Sequence, residues 1–214
     1  MKKFLLYAGV AAFAFASNAN ALEVNPYVSA KLSYNWAKDE AKSVIKWDGG
    51  GYNGELKLHK NVWGSHFAAG AKARAIRTEV EWNISQDTKK KDPKRNDRYR
   101  LQNHSLLLNA YYDINTCTKW TPYVGAGMGV ALLKLTEKNM DSGFKASIKS
   151  YNFAWQIGAG VAYDLTKNVA LDAGYRYIDA GAAVANKTTD ADWKGREKFD
   201  TAAHEVYFGA RYTF

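Results

Sequence analysis

A single cysteine, Cys117, only four histidines and, beyond residue 21, no apolar run of helix-spanning length mark what this 214-residue chain lacks. One thiol cannot close an intramolecular disulfide, which excludes a disulfide-built scaffold, and nothing beside Cys117 suggests redox chemistry. Cysteine and histidine form no cluster with metal-ligand spacing, and the Asp-rich segments lack the spacing of a calcium loop. No phosphate-cradling glycine motif stands between a strand pattern and a helix pattern. No metal or cofactor is therefore expected. A membrane-spanning helix needs about 20 consecutive apolar residues, so any crossing after Ala21 has to be made by strands.

What is present begins with a leader. Met1-Lys2-Lys3 is basic, Phe4 to Phe15 is apolar, and small residues run to Ala19-Asn20-Ala21. That is the layout of a secretory signal with an A-x-A site, so residues 1–21 are expected to be cleaved after Ala21 and 22–214 to form one domain. Taking Lys2 and Lys3 from the formal charge of +9 leaves +7 on the mature part.

That part alternates with period two, the strand signal. Along Tyr27–Trp36, Val28, Ala30, Leu32, Tyr34 and Trp36 share one face against Ser29, Lys31, Ser33 and Asn35. The same division runs through Ile76–Ile84, Asn152–Tyr163, Val169–Tyr177 and His204–Phe214, and less clearly through Trp63–Ala71, Leu101–Tyr112 and Tyr123–Lys134. Charges recurring on the polar face suit a wet lumen better than a dry sandwich core. Connections alternate in length as well. Long polar ones are expected at Ala37–Asn61, Ser85–Tyr99, Leu135–Ser150 and Ala180–Asp200, and short ones at Lys72–Ala75, Asp113–Thr121 and Leu165–Asn168. Outer-membrane barrels have an even strand count, short periplasmic turns and long extracellular loops. The fold expected is all-β: a transmembrane antiparallel up-and-down β-barrel of about eight strands in the Gram-negative outer membrane. Trp36, Trp63, Trp82, Phe153 and Tyr177 then fall near the outer strand ends and Tyr112, Tyr163, Tyr212 and Phe214 near the inner ones, as two interfacial girdles.

Four stretches carry a resemblance: Thr121-Pro122-Tyr123-Val124-Gly125-Ala126-Gly127-Met128-Gly129, Asn109-Ala110-Tyr111-Tyr112-Asp113, Ala173-Gly174-Tyr175-Arg176-Tyr177 and Tyr207 to Phe214. Each is short, but together with the strand rhythm they resemble the OmpA-like and opacity-protein-like small outer-membrane barrels. The terminal run is also similar to the insertion signal read by the β-barrel assembly machinery, through Tyr207, Gly209, Tyr212 and Phe214. With Phe214 last, the peptidoglycan-binding domain of full-length OmpA-type proteins is not expected, nor tethering to the cell wall.

Eight strands make a barrel that inward side chains can fill. The inward charges are Lys31, Arg77, Glu79, Glu81, Asp172, Arg176, Glu205 and Arg211, four of each sign, which reads as a salt-bridged plug. Glycines 125, 127, 129, 158, 160, 174 and 209 either leave gaps for a narrow path or make room for neighbouring large side chains. A catalytic set is hard to build from His59, His66, His104 and His204. In His104-Ser105 and His204-Glu205 the neighbours point to opposite faces of a strand and cannot touch.

Between Ser85 and Arg100, Lys89, Lys90, Lys91, Lys94, Arg95, Arg98 and Arg100 face only Asp87, Asp92 and Asp97, a local charge of +4. An outer basic segment meets outer-membrane lipids and lipopolysaccharide phosphates first, and anionic surface glycans next. Specific nucleic-acid binding is not expected without a base-stacking platform. The function expected is non-enzymatic: support of outer-membrane integrity and display of extracellular loops for adhesion or recognition. A narrow small-solute pore is the alternative, and an enzyme acting on lipid A or peptides a third.

Overall fold

The computed structural model describes residues 23–47, 50–86, 88–92, 97–139, 145–189 and 193–214; the expected leader and its cleavage site lie outside them. In chain order the strands are β1 (Val24–Trp47), β2 (Gly50–Ala73), β3 (Ile76–Ser85), β4 (Thr88–Asp92), β5 (Asp97–Asp113), β6 (Trp120–Asn139), β7 (Lys145–Asp164), β8 (Val169–Thr189) and β9 (Trp193–Thr213). Every neighbour pairing is antiparallel, and the order β3-β2-β1-β9-β8-β7-β6-β5 closes through a β3–β5 pairing. β3 and β4 meet successive lengths of the same edge of β5, His104–Tyr112 and Asp97–Leu101, so they are two pieces of one wall. The barrel has eight walls, as the alternation implied.

The long connections are shorter than expected. β1 and β2 stay in register from Val24↔Ala73 out to Trp47↔Gly50, and β1 also pairs β9 as far as Lys46↔Lys194. β6 and β7 likewise pair to Lys138↔Lys145, β8 and β9 to Thr189↔Trp193, and the basic segment folds as the β4–β5 hairpin. Outside the bilayer both strand faces meet water, so apolar alternation ceases to be required. The backbone ladder is satisfied by pairing wherever the strand lies, and it therefore continues where the side-chain pattern stops.

At the other end the turns are tight. Arg74 and Ala75 link β2 to β3, with Arg74 at φ 54°, the left-handed conformation that a two-residue hairpin demands. Residues 114–119 and 165–168 link β5 to β6 and β7 to β8. Asn168 accepts a bond from the Thr213 amide at 2.8 Å and donates one back to the Thr213 carbonyl at 2.8 Å.

Burial follows the alternation residue by residue. Ser29, Lys31, Ser33 and Asn35 are buried inside, while Val28, Leu32 and Trp36 are exposed outside. Leu32, Phe67, Leu108, Met128, Phe153 and Phe208 belong to a continuous outward apolar band. Trp63, Trp82, Tyr112, Tyr212 and Phe214 are outward too, and Tyr212 meets Phe214 edge to face at 5.2 Å. Large apolar side chains facing outward around a closed sheet describe a lipid-facing surface. No helix among the described residues is long and apolar enough to cross a membrane; here strands do so.

Candidate functional site: the charged lumen

The eight charged residues singled out above all lie inside the barrel, each less than a tenth exposed. Their partners come from different walls. Glu81 on β3 is the hub: its Oε1 accepts from Arg176 Nη1 at 2.5 Å and its Oε2 from Lys31 Nζ at 2.9 Å. Lys31 also donates to Glu79 Oε1 at 3.0 Å, and Arg176 Nε to Glu205 Oε1 at 2.5 Å. Glu79 is further held by Tyr27 and Tyr111 hydroxyls, each at 2.9 Å, and by Asn109 Nδ2 at 3.3 Å. Gln156 Nε2 reaches Asn109 Oδ1 at 2.5 Å. A carboxylate taken from water this completely is tolerable only with several donors around it, and Glu79 and Glu81 have them.

Nearer the short turns a second set forms. Arg77 Nε donates to Asp113 Oδ1 at 2.8 Å, and Lys72 Nζ lies 2.8 Å from Asp113 Oδ2. The Arg77 guanidinium rests on the rings of Tyr111 and Tyr123, 4.8 and 4.7 Å from their centroids, a contact that Arg makes well because its charge is delocalised over a plane. Tyr123 and Tyr207 hydroxyls meet at 3.1 Å. Arg211 and Asp172 are brought together only loosely, at 3.7 Å. Leu107, which the register sets opposite Glu81, forms an apolar patch with Ala131, Ala154 and Ala180.

The glycines mark where large inward side chains pass. A Cβ at Gly174 would lie 2.5 Å from the Tyr207 Cζ and hydroxyl, one at Gly160 2.6 Å from those of Tyr123, and one at Gly209 2.7 Å from Lys31 Cγ. Those at Gly125 and Gly127 would collide with Tyr111 and Asn109. Here the missing side chain is space occupied from across the sheet.

Reading adjacent residues missed one constellation. The β1–β2 register sets Ser33 opposite Gly64, and His66 reaches across: its Nε2 is 2.7 Å from Ser33 Oγ and 3.3 Å from Glu205 Oε1, while its Nδ1 meets Asn83 Oδ1. Arg176 Nη2 is 3.0 Å from the same ring. Serine, imidazole and carboxylate in contact are the parts of a nucleophile–base pair. Ser33 and His66 are 2% and 3% exposed and walled in by the ion network, which suits a hydrogen-bonded filler. Tyr27, Asn109, Tyr111, Asp113 and Tyr123 also went unassigned. Parity points inward for Tyr27, which shares that of Lys31, and for Tyr123, which shares that of Gly125, Gly127 and Gly129, whereas Tyr111 is masked by the identical residue beside it.

His104 and Ser105 do face opposite ways, Ser105 being buried inside. His204 faces outward, with Nδ1 2.5 Å from the Tyr175 hydroxyl, and Glu205 faces inward. Of the terminal set, Tyr207 and Gly209 belong to the lumen and Tyr212 and Phe214 to the lipid face. In the basic segment, Lys89, Lys90 and Lys91 lie on β4 and Arg98 and Arg100 on β5, while Lys94, Arg95 and every side chain of the run fall outside the described residues. Cys117 is exposed in a turn, and no group of residues suited to a metal ion occurs among those described.

A lipid-facing exterior around a polar, ion-paired interior narrows the comparison to outer-membrane barrels, and the family model for the outer membrane protein β-barrel domain matches residues 4–214. The chain belongs to that family. Within it, the chain is similar to outer membrane protein PagN of Salmonella typhimurium, 33% identical over 132 residues that cover 56% of this chain and 53% of PagN. Opacity protein opA66 of Neisseria gonorrhoeae is 28% identical over 136 residues, covering 51% and 52%. The chain thus spans about half the length of the curated relatives it matches. Among solved structures, Neisserial surface protein A superposes with a TM-score of 0.52 at 22% identity, covering 90% of this chain and 99% of that one. A major outer membrane protein of Thermus thermophilus gives 0.52 at 15% identity, covering 86% and 99%. These likenesses establish the shared fold. The protein is a β-barrel of the outer membrane.

Proposed function

We propose that this outer-membrane barrel is a non-enzymatic scaffold with a side-chain-filled lumen, which supports membrane integrity and displays its outer hairpins for adhesion or surface recognition. The observation that carries this reading is the ion network joining Arg176, Glu81 and Lys31 across the interior. Crossing contacts of that kind leave the lumen as structure and the outer end as the place for function. They also weigh against the pore, and the enclosure of Ser33 and His66 weighs against an enzyme.

The recognition surface in this reading is the β4–β5 hairpin. Its register sets position 89 opposite 100 and 91 opposite 98, cationic residues against cationic residues. Like charges directly opposite destabilise a strand pair, so an anionic partner, lipopolysaccharide phosphate or a surface glycan, would relieve the hairpin as it binds. Residues 1–21 serve as the leader, and Tyr212 and Phe214 as the outward part of the signal presented to the assembly machinery.

Deleting residues 85–99 is the test. Heat-modifiable folding should survive while binding to lipopolysaccharide or sulfated glycans weakens; unchanged binding would remove the recognition claim.

A further inference from the structure

The short-turn mouth of the barrel contains a cavity of about 500 Å³. Its charged lining is one-sided: Lys72, Arg77, Lys119, Lys167 and Arg211 against Asp164. Counting Asp113 and Asp172, which lie behind that lining beside Lys72, Arg77 and Arg211, cations still exceed carboxylates by two.

The two guanidinium groups supply an independent observation. Arg77 is 3% exposed and Arg211 6% exposed, yet Arg77 Nη2 and Arg211 Nη1 have no hydrogen-bond partner among the described residues; Asp172 Oδ1, 3.7 Å from Arg211 Nη2, has none either. Each group is fixed from its other side: Arg77 by Asp113 and two tyrosine rings, Arg211 by the Tyr27 ring, whose centroid is 5.6 Å from its Cζ. Buried donors are normally satisfied, and elsewhere in this lumen Lys31 and Arg176 are. Two immobilised Arg donors on the wall of a cationic cavity are the arrangement that takes a planar or tetrahedral oxyanion. Lys119 and Lys167, in the exposed turns 114–119 and 165–168, stand at the rim as exposed point charges.

We infer that this mouth is an anion site for a phosphate-bearing ligand, with Arg77 and Arg211 as the fixed donors and Lys119 and Lys167 as the capturing rim. A carboxylate offers two acceptor oxygens, whereas a phosphate group offers three and a higher charge, matching two donors plus two lysines. The volume admits a diphosphate or a phosphate carried on a small organic group. Short turns face the periplasm, so the phosphate comes from a periplasmic solute or from an inner-leaflet lipid headgroup. The site lies at the opposite end of the barrel from the β4–β5 hairpin, so its failure and that of the recognition reading are separately observable.

Titration calorimetry of the refolded full barrel with inorganic pyrophosphate tests the assignment. Saturable one-to-one binding is expected, weakened by about tenfold or more in Lys119→Gln/Lys167→Gln, the scale of losing charge-assisted hydrogen bonds. Both lysines lie in exposed turns, so that variant keeps the fold; Arg211→Gln, which touches the interior, should show the same loss and is checked for heat-modifiable folding. Absence of saturable binding, or affinity unchanged in the double-lysine variant, would overturn the site. Repeating the titration in phosphatidylglycerol and phosphatidylcholine nanodiscs assigns the source. Loss of pyrophosphate binding only in phosphatidylglycerol supports a site filled by a lipid headgroup; equal binding in both supports a site for a soluble phosphate compound.

Discussion

Arg176 and Glu81 meet at 2.5 Å although 95 residues separate them and strands β2, β1 and β9 stand between their walls. The contact exists only because the sheet closes on itself. Lys31, bonded to the other oxygen of Glu81, ties a third wall into the same point.

Glu81→Gln should therefore be severe. It leaves Lys31 and Arg176 buried beside a neutral amide, and removing one member of a buried ion set costs roughly 3–5 kcal/mol. Urea unfolding in lipid, followed by the gel shift of the folded barrel, measures it; a loss below about 1 kcal/mol would mean that water already shares the site.

Gly174→Val should destabilise by roughly 1–3 kcal/mol, the range for overpacking, because its Cβ would press on Tyr207 and lie 2.9 Å from the Ala159 carbonyl oxygen. Ala126→Val, on the lipid face, is the control and should be nearly neutral in the same unfolding assay.

Leu108→Arg probes the outer face. Leu108 points outward at 60% exposure, between the Tyr112 girdle and the outer ends of the strands. A cation at the bilayer midplane of a barrel costs about 2–4 kcal/mol. Comparing refolding equilibria in bilayers of one thickness reads this directly, and a neutral outcome would place Leu108 away from lipid.

How far the sequence reached depended on which physical constraint wrote each feature. Lys31, Glu79, Glu81 and Arg176 could be placed inside because lipid on one face forces period two, and a slip of one residue would expose every charge. That Arg176 finds Glu81, and His66 finds Ser33, depends on closure and stagger, which bring together residues with no sequence relation. Tyr111-Tyr112 hid its inward member because two identical aromatics carry no alternation. Ala37–Trp47 concealed its strand for another reason: its sequence carries no apolar alternation, and only the backbone ladder specifies the pairing.

Phe214→Ala should slow insertion more than it weakens the folded barrel. Phe214 is outward and 65% exposed, its amide donating to the Pro26 carbonyl at 3.0 Å whatever the side chain. Pulse-labelled assembly in cells set beside the unfolding midpoint of refolded protein separates the two effects; equal effects on both would remove the assembly role.

Planar-bilayer recording of the refolded wild-type barrel tests most directly the proposed closure of the lumen by crossing ion pairs. A closed lumen leaves a quiet membrane after insertion, with no steady single-channel steps. Steady, reproducible steps from the wild-type protein would contradict it.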